Sequence, residues 1–301
     1  ELGLLNSTDT PFVFNDRKLA LAKWSGKIDR VNKAFLKKID KIATSSNKDN
    51  KLDQIKNIFK SSNLVFLQGG PGTGKTTLII KFILNCLQSN RFLNVGLAAP
   101  TGKATSRLKE SLNEQKDSFL SKRLNQIECQ TLHKWIFNSN QKSIKLKFKL
   151  KELDIFIVDE MSMVNIDMIE SILDLLAKDC KIILVGDRNQ LSPVKNCSIW
   201  NYLFEFSDNN LIKSCMVNLK KTFRNSGDIE FLSNQIFDDK NSLFQKKIKE
   251  LENKKSKEVN IIKCENKNIP LVLIDLIQNN LNKLRKSTLN LSNKKYIFEK
   301  K

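Results

Sequence analysis

Histidine is almost absent: the chain holds one, His133, and its six cysteines (Cys86, Cys129, Cys180, Cys197, Cys215 and Cys264) nowhere form a C-x-x-C pair. That excludes the usual zinc ligand sets. Scattered single cysteines fit buried thiols in a reducing cytosol rather than a disulfide framework. No apolar run approaches the length of a membrane span, and the amino end carries no signal-peptide pattern, so a cytoplasmic location without a membrane partner is expected. The first residue is Glu1 rather than Met, and the chain is read as a piece of something longer. Glycine stops at Gly227; residues 228–301 hold none. A second complete α/β domain would need several tight turns there and is not expected.

The 301 residues suggest about two domains, and 40% hydrophobic residues suffice for a substantial core. The formal net charge of +20 points to nucleic acid. The charge signal is diluted, because residues 240–301 alone carry a net +10 and the whole chain is rich in Lys, Asn, Ile and Phe, a bias that coding composition can impose.

One stretch organises the rest. Gly69-Gly70-Pro71-Gly72-Thr73-Gly74-Lys75-Thr76 reads G-x-x-x-x-G-K-T, a loop whose backbone N–H groups cradle an oligophosphate. Lys75 is placed for the β- and γ-phosphates and the Thr76 hydroxyl for Mg²⁺. The apolar run Leu64–Leu67 precedes it as a strand, and a mostly buried helix follows from Thr77. Strand–loop–helix is the setting the loop requires. No L-S-G-G-Q-like or N-K-x-D segment accompanies it, which argues against a transporter ATPase or a small GTPase.

Asp154-Ile-Phe-Ile-Val-Asp159-Glu160 is the second strong signal. A buried strand ends in two carboxylates about eighty residues after the phosphate loop, with Asp159 placed for the Mg²⁺ shell and Glu160 to polarise an attacking water. Asn94–Ala99 is a strand ending in Pro100-Thr101-Gly102-Lys103, and Lys181–Val185 another, with Gln190 just beyond it. In open α/β sheets ligands gather at such carboxyl ends. Gln54, on a short helix before the phosphate-loop strand, is a candidate reader of an adenine edge. Thr131 and His133 form a Thr-Leu-His segment, and Arg224 offers a planar fork to phosphate. Read one at a time, an exposed helical Gln, a lone His and a surface Arg need no function.

Elsewhere the reading is coarser, and the basic excursion at 139–151 has two: a solvated charged hairpin or a contact with a nucleic-acid backbone. From Leu19 to Ile42 apolar residues step by three and four, predicting a helix. Residues 44–50 read as a linker, 105–127 as a polar helix and 269–277 as helical. The expected domains are 1–50, a helical segment and linker; 51–225, an ATP-binding domain around the phosphate loop; and 226–301, a basic helical segment that opens an incomplete second domain.

Together GGPGTGKT, Ala99–Ala104 (APTGKA), Thr131-Leu-His133, Val158–Met163 (VDEMSM), Val185–Leu191 and Leu219–Arg224 resemble superfamily 1 helicases, in order and in spacing. The flavour is that of the RecD-type family, the α subunits of bacterial exodeoxyribonuclease V. The likeness covers roughly residues 15–235. It implies an α/β fold, a RecA-like P-loop NTPase with a mainly parallel sheet and helices on both faces, plus an N-terminal helical segment. It implies an adenine contact at Gln54; ATP binding by Gly69–Thr76 and Thr77; Mg²⁺ at Thr76 and Asp159; general-base chemistry at Glu160; a γ-phosphate sensor at Gln190; and a catalytic Arg224. Pro100, Thr101, Lys103, Thr131 and His133 correspond to the single-stranded-DNA contacts. The implied activity is that of an ATP-dependent 5′→3′ DNA helicase subunit of a RecBCD-type recombination-repair complex, with other subunits as partners. Nothing here resembles the family's later T-V-H-K-S-Q-G-like and final arginine motifs. The alternative reading is therefore a truncated ATP-binding, partner-docking fragment without turnover of its own.

Overall fold

The computed structural model describes residues 12–15, 18–42, 50–114, 121–140, 149–190, 199–205, 209–221, 223, 227–237, 241–253, 259, 261 and 271–292. The chain divides into two compact units, 1–225 and 226–301.

The first unit opens with β1 (Phe12–Asn15) and β2 (Lys18–Leu21), then α1 (Ala22–Leu36) and α2 (Lys51–Ile58). Next come β3 (Leu64–Gly69), α3 (Lys75–Ser89), β4 (Val95–Ala99), α4 (Gly102–Asn113), α5 (Ser121–Leu124), β5 (Glu128–Thr131) and α6 (Leu132–Asn140). It closes with β6 (Ile155–Val158), α7 (Ile166–Leu175), β7 (Lys181–Gly186), α8 (Ile199–Glu205), α9 (Asn210–Ser214) and β8 (Met216–Leu219). The second unit contains α10 (Gly227–Phe237), α11 (Asn241–Asn253) and α12 (Leu271–Ser292).

Six strands form one all-parallel sheet in the order β5-β4-β6-β7-β3-β8. The expected α/β, RecA-like P-loop arrangement is therefore present. Its central strands read as apolar runs because both faces are covered; Leu64 to Leu67 and Ile155 to Val158 are all buried. The helices fall into two groups, α3 touching α2 and α4, and α7 touching α1 and α6. Right-handed crossovers explain this: connections that step one way along the sheet lay their helices on one face, and those that step back lay theirs on the other.

The strand order also makes the crevices. The chain leaving β3 runs towards β4, while the chain leaving its neighbour β7 runs the other way to β8. Adjacent β4 and β6 diverge likewise, the first to β5 and the second to β7. Diverging connections open clefts at the carboxyl ends, and the ends of β3, β4, β6 and β7 carry the phosphate loop, Pro100–Lys103, Asp159–Glu160 and Asp187–Gln190.

Two expectations are corrected. The first helix starts at Ala22, not Leu19: Lys18–Leu21 pairs antiparallel with Phe12–Asn15, Phe12 opposite Leu21. It also stops at Leu36, Ile39 instead bridging to Ser62; periodicity alone cannot see a hairpin that shares apolar positions with the next helix. The polar stretch after Thr105 stays helical only to Asn113 and again over Ser121–Leu124, and Glu128–Thr131 is one of the sheet's two edge strands. The core of the basic 139–151 excursion, residues 141–148, lies outside the described residues; Leu150–Glu152 is a single 3₁₀ turn.

Helix α1 packs into the same core as the sheet. Val31 and Phe35 are buried, and the Phe35 ring meets Phe66 of β3 edge to face at 5.4 Å. Lys27 and Arg30 pair with Asp167 and Glu170 of α7. Buried Lys38 donates to the carbonyls of Ala177 (2.5 Å) and Lys178 (2.8 Å), just past the end of α7. Of the described cysteines, Cys180 and Cys215 are buried and Cys86 and Cys129 half-buried, all four free. Burial pushes the Cys180 thiol up to about 12.

Candidate nucleotide and nucleic-acid site

The loop after β3 is shaped by its glycines. Gly72 and Gly74 have φ of 74° and 82°, a region that costs other L-residues steric strain. Gly69 is needed for a different reason: a Cβ there would lie 2.5 Å from the Thr73 hydroxyl and 3.0 Å from Leu219 Cβ. Buried Thr73 closes the loop by donating its hydroxyl to the Gly70 carbonyl at 2.9 Å. Helix α3 then starts at Lys75 with Gly74 as its cap residue and no side chain capping it. Its first N–H groups, which lack intrahelical partners, face the loop's concavity and favour an anion. The Lys75 ammonium lies against the Gly69 and Gly70 carbonyls at 2.6 and 2.8 Å, so a phosphate entering the loop competes with two neutral acceptors for it.

Asp159 is 8% exposed. Burial raises its carboxyl from the ordinary 3.8 to about 6; the Glu160 backbone N–H, bonded to Oδ1 at 2.9 Å, and the nearby Lys75 charge pull the other way, while the Glu160 carboxylate adds to the rise. Glu160 stands at φ 56°, ψ 43°, and no other described non-glycine residue has positive φ. Holding a glutamate in the left-handed region costs about 1–3 kcal/mol. The strain turns the chain directly after Asp159 into a 3₁₀ turn at Met161–Met163.

Beyond β7, buried Asp187 accepts the Asn189 N–H at 3.0 Å, and the Gln190 N–H reaches the Asp187 carbonyl at 3.2 Å. The Gln190 amide oxygen accepts from the buried Ser162 hydroxyl at 3.0 Å, which ties this loop to the Asp159–Glu160 turn. Gln68 of β3 accepts from the Arg188 N–H and from the Trp200 indole, at 3.2 and 3.1 Å. Gly186 leaves room for that indole: a Cβ would come within 2.6 Å of it.

These parts line one cleft of about 950 Å³: Pro71 to Thr77, Thr101, Lys103, Asp159, Glu160 and Gln190, together with Arg107 and Phe223. Thr101 caps α4, its hydroxyl accepting the Ala104 N–H at 3.2 Å. Gln54 does not line the cleft; it is half-buried on α2, its side-chain oxygen accepting from Lys51 at 3.3 Å. Arg224 lies outside the described residues. Thr131 and His133 are also outside the cleft, but register places Thr131 opposite Ala99, beside Pro100 and Thr101 on the same sheet edge. Two cleft residues are not singled out by the sequence, Phe223 within the Leu219–Arg224 motif and Arg107 outside any motif. Phe223 is 71% exposed, its N–H bonded to the Gly72 carbonyl at 2.8 Å and its ring 3.7 Å from where a Gly74 Cβ would stand. Arg107 follows Lys103 by one helical turn, a spacing visible in the sequence. A second cavity, about 730 Å³, lies at the amino ends of the strands among Phe59, Phe82, Cys86, Leu153 and Lys181; no candidate site residue lines it.

The cleft suits a nucleotide with its cation. It offers open helix N–H groups, an ammonium and a hydroxyl at Thr76. Its buried carboxylate, Asp159, becomes cheaper to ionise beside a cation. Among the described residues no cluster of three His, Cys, Asp or Glu side chains could hold a metal by itself. Mg²⁺ binds through one or two carboxylates together with substrate phosphates and waters, and the cleft offers it Asp159 and the Thr76 hydroxyl. Among the described residues no helix is long and apolar enough to cross a membrane.

Residues 53–196 match the AAA_19 family, described as an AAA domain. The RecBCD enzyme subunit RecD of Buchnera aphidicola subsp. Schizaphis graminum is 32% identical over 295 residues, covering 80% of this chain and 48% of that protein. The subunit of the same name from Buchnera aphidicola subsp. Acyrthosiphon pisum is 32% identical over 246 residues, covering 71% of this chain and 39% of that protein. The chain thus spans less than half the length of these two relatives. Among solved structures, the Bacteroides Pif1 helicase in complex with ADP-AlF3 and ssDNA aligns with 80% of this chain and 57% of its own, at 21% identity and a TM-score of 0.44.

Proposed function

Since the chain belongs to the RecD-type branch of the superfamily 1 helicases, we propose that it is the ATP-binding motor portion of an ATP-dependent 5′→3′ DNA helicase subunit. It works with Mg²⁺ and single-stranded DNA, alongside the other subunits of a RecBCD-type complex in the cytoplasm. The observation that carries this reading is the single cleft joining the phosphate loop, the Asp159–Glu160 turn and Gln190 to Thr101 and Lys103.

Bound ATP supplies the phosphoryl group that is transferred to water, and Mg²⁺ the charge that offsets its phosphates. The chain's own residues divide the remaining work. Gly69–Thr77 hold the phosphates by backbone N–H groups, and Lys75 exchanges its two loop carbonyls for phosphate oxygens. Thr76 and Asp159 hold the metal. Glu160, fixed by its strained backbone, orients and deprotonates the water. Gln190, held by Ser162, reads the terminal phosphate as a neutral donor and acceptor. Phe223 offers an exposed aromatic face at the cleft wall. Gln54, off the cleft wall, and Arg224, outside the described residues, are assigned an adenine contact and a cation for the phosphates by the family resemblance alone. Because Gln190 and the Asp159–Glu160 turn are hydrogen-bonded together, loss of the terminal phosphate is felt at β6. That strand is paired with β4, which ends in the DNA-contact residues Pro100–Lys103. Thr131 and His133 extend the DNA path.

The test is ATP hydrolysis by the 301-residue chain with and without single-stranded DNA, beside Lys75→Ala. DNA-stimulated turnover that disappears in the variant supports the full reading. Nucleotide binding that needs Lys75, without turnover, supports the ATP-binding, partner-docking fragment instead. Nucleotide affinity untouched by Lys75→Ala refutes the site.

A further inference from the structure

Helix α6 presents two unlike faces. Leu132 and Trp135 are buried, the Trp135 indole donates to the Leu97 carbonyl of β4 at 2.9 Å, and its ring meets Phe156 edge to face at 5.7 Å. Asn138, 7% exposed, donates to the Gln130 side chain of β5 at 3.1 Å, and Ser139 accepts the Leu150 N–H at 3.2 Å. The helix is therefore anchored to β4, β5 and the chain before β6. Its other face carries His133, Lys134 and Phe137, all exposed. His133 and Phe137 are one turn apart, about 6 Å along the axis, with Lys134 beside them.

Phe137 is 58% exposed on this anchored helix. An isolated exposed aromatic needs no explanation, but this one shares its helix face with two basic side chains and no acid. The helix springs from the carboxyl end of edge strand β5, where Thr131 stands opposite Ala99. A cation for a phosphate backbone, Lys134, beside a rigid aromatic face for bases makes up a single-strand binding surface.

We infer that Phe137 is a base-stacking platform for single-stranded DNA. The strand leaves Thr101 and Lys103, passes Thr131 and His133, and lays a base on the Phe137 ring while Lys134 meets a neighbouring phosphate. The inference rests on the single-strand-binding reading proposed above and extends its path one helical turn beyond the Thr-Leu-His segment. Stacking is tolerant of base identity, as a translocating motor requires.

The experiment is binding of a fluorescein-labelled oligothymidine to the full chain across a salt series, for wild type, Phe137→Ala, Phe137→Tyr and Lys134→Ala, with circular dichroism confirming that each variant is folded. Removing one stacked base should weaken binding about five-fold or more and leave the salt slope as in wild type, since no phosphate contact is lost. Phe137→Tyr keeps the ring and should bind as wild type does. Lys134→Ala should flatten the slope by about 0.7. Wild-type affinity in Phe137→Ala, or a Phe137→Tyr variant as weak as Phe137→Ala, overturns the inference and leaves single-strand binding standing. A wild-type chain with no salt-dependent affinity for the oligonucleotide overturns both.

Discussion

Asp159→Asn should make the nucleotide-free protein more stable at neutral pH while removing its Mg²⁺-dependent nucleotide binding. The carboxyl is 8% exposed and titrates near 6 in the folded chain instead of 3.8. A folded-state value above the unfolded one means that folding favours the protonated form. The carboxyl is therefore harmless below about pH 4, and its cost grows as pH rises from there to about 6 and then levels off. At pH 7 the penalty is on the order of 3 kcal/mol, at about 1.4 kcal/mol per pH unit. Asparagine removes the charge and keeps an oxygen for the Glu160 N–H that now bonds Oδ1 at 2.9 Å. Urea melts of both proteins from pH 4 to pH 8, without nucleotide or metal, measure the difference. The variant's advantage should be small at pH 4, widen through pH 6 and then stay level. An advantage that does not change with pH, or a variant less stable than wild type at pH 7, would refute the claim that Asp159 is a buried charge waiting for a cation. In the wild type the same titration should weaken Mg²⁺-dependent nucleotide affinity as pH falls through about 6.

Glu160→Gly should relieve the left-handed backbone at φ 56° and raise stability by about 1 kcal/mol, seen as a higher urea midpoint, while DNA-stimulated ATP turnover is lost. Gly96→Ala should destabilise by about 1–3 kcal/mol, because the new Cβ would stand 2.6 Å from Leu153 Cδ1 and 3.1 Å from both Phe156 and Trp135; thermal melts with an unchanged midpoint would show that the core there gives way. The losses expected for Lys75→Ala and Phe137→Ala complete the set, the first in nucleotide affinity and the second in oligonucleotide affinity at constant salt slope.

Much of the architecture was legible because it is written locally. A glycine-rich turn between an apolar run and a helix has one common use, and strands buried on both faces read as the continuous apolar runs Leu64–Leu67, Ile155–Val158 and Lys181–Val185. The misreadings fall where local patterns are ambiguous. Lys18–Leu21 fits a helical stripe as well as it fits a hairpin, until its partner Phe12–Asn15 is seen. Glu128–Thr131 carries no run of large apolar residues, since an edge strand is covered less than a central one.

What the sequence by itself determined is the set of chemical groups and the elements that hold them, since motif spacing and apolar periodicity are properties of neighbouring residues. What only the tertiary structure decided is which groups share a cleft. Strand order brings the ends of β3, β4, β6 and β7 together at two diverging connections and leaves Gln54 off the cleft wall. Burial, which depends on everything packed around a side chain, made Asp159 reluctant to ionise and left Phe137 open on an anchored helix. Neither property can be read from a residue and its neighbours in the chain, because both are set by atoms that only folding brings near or keeps away.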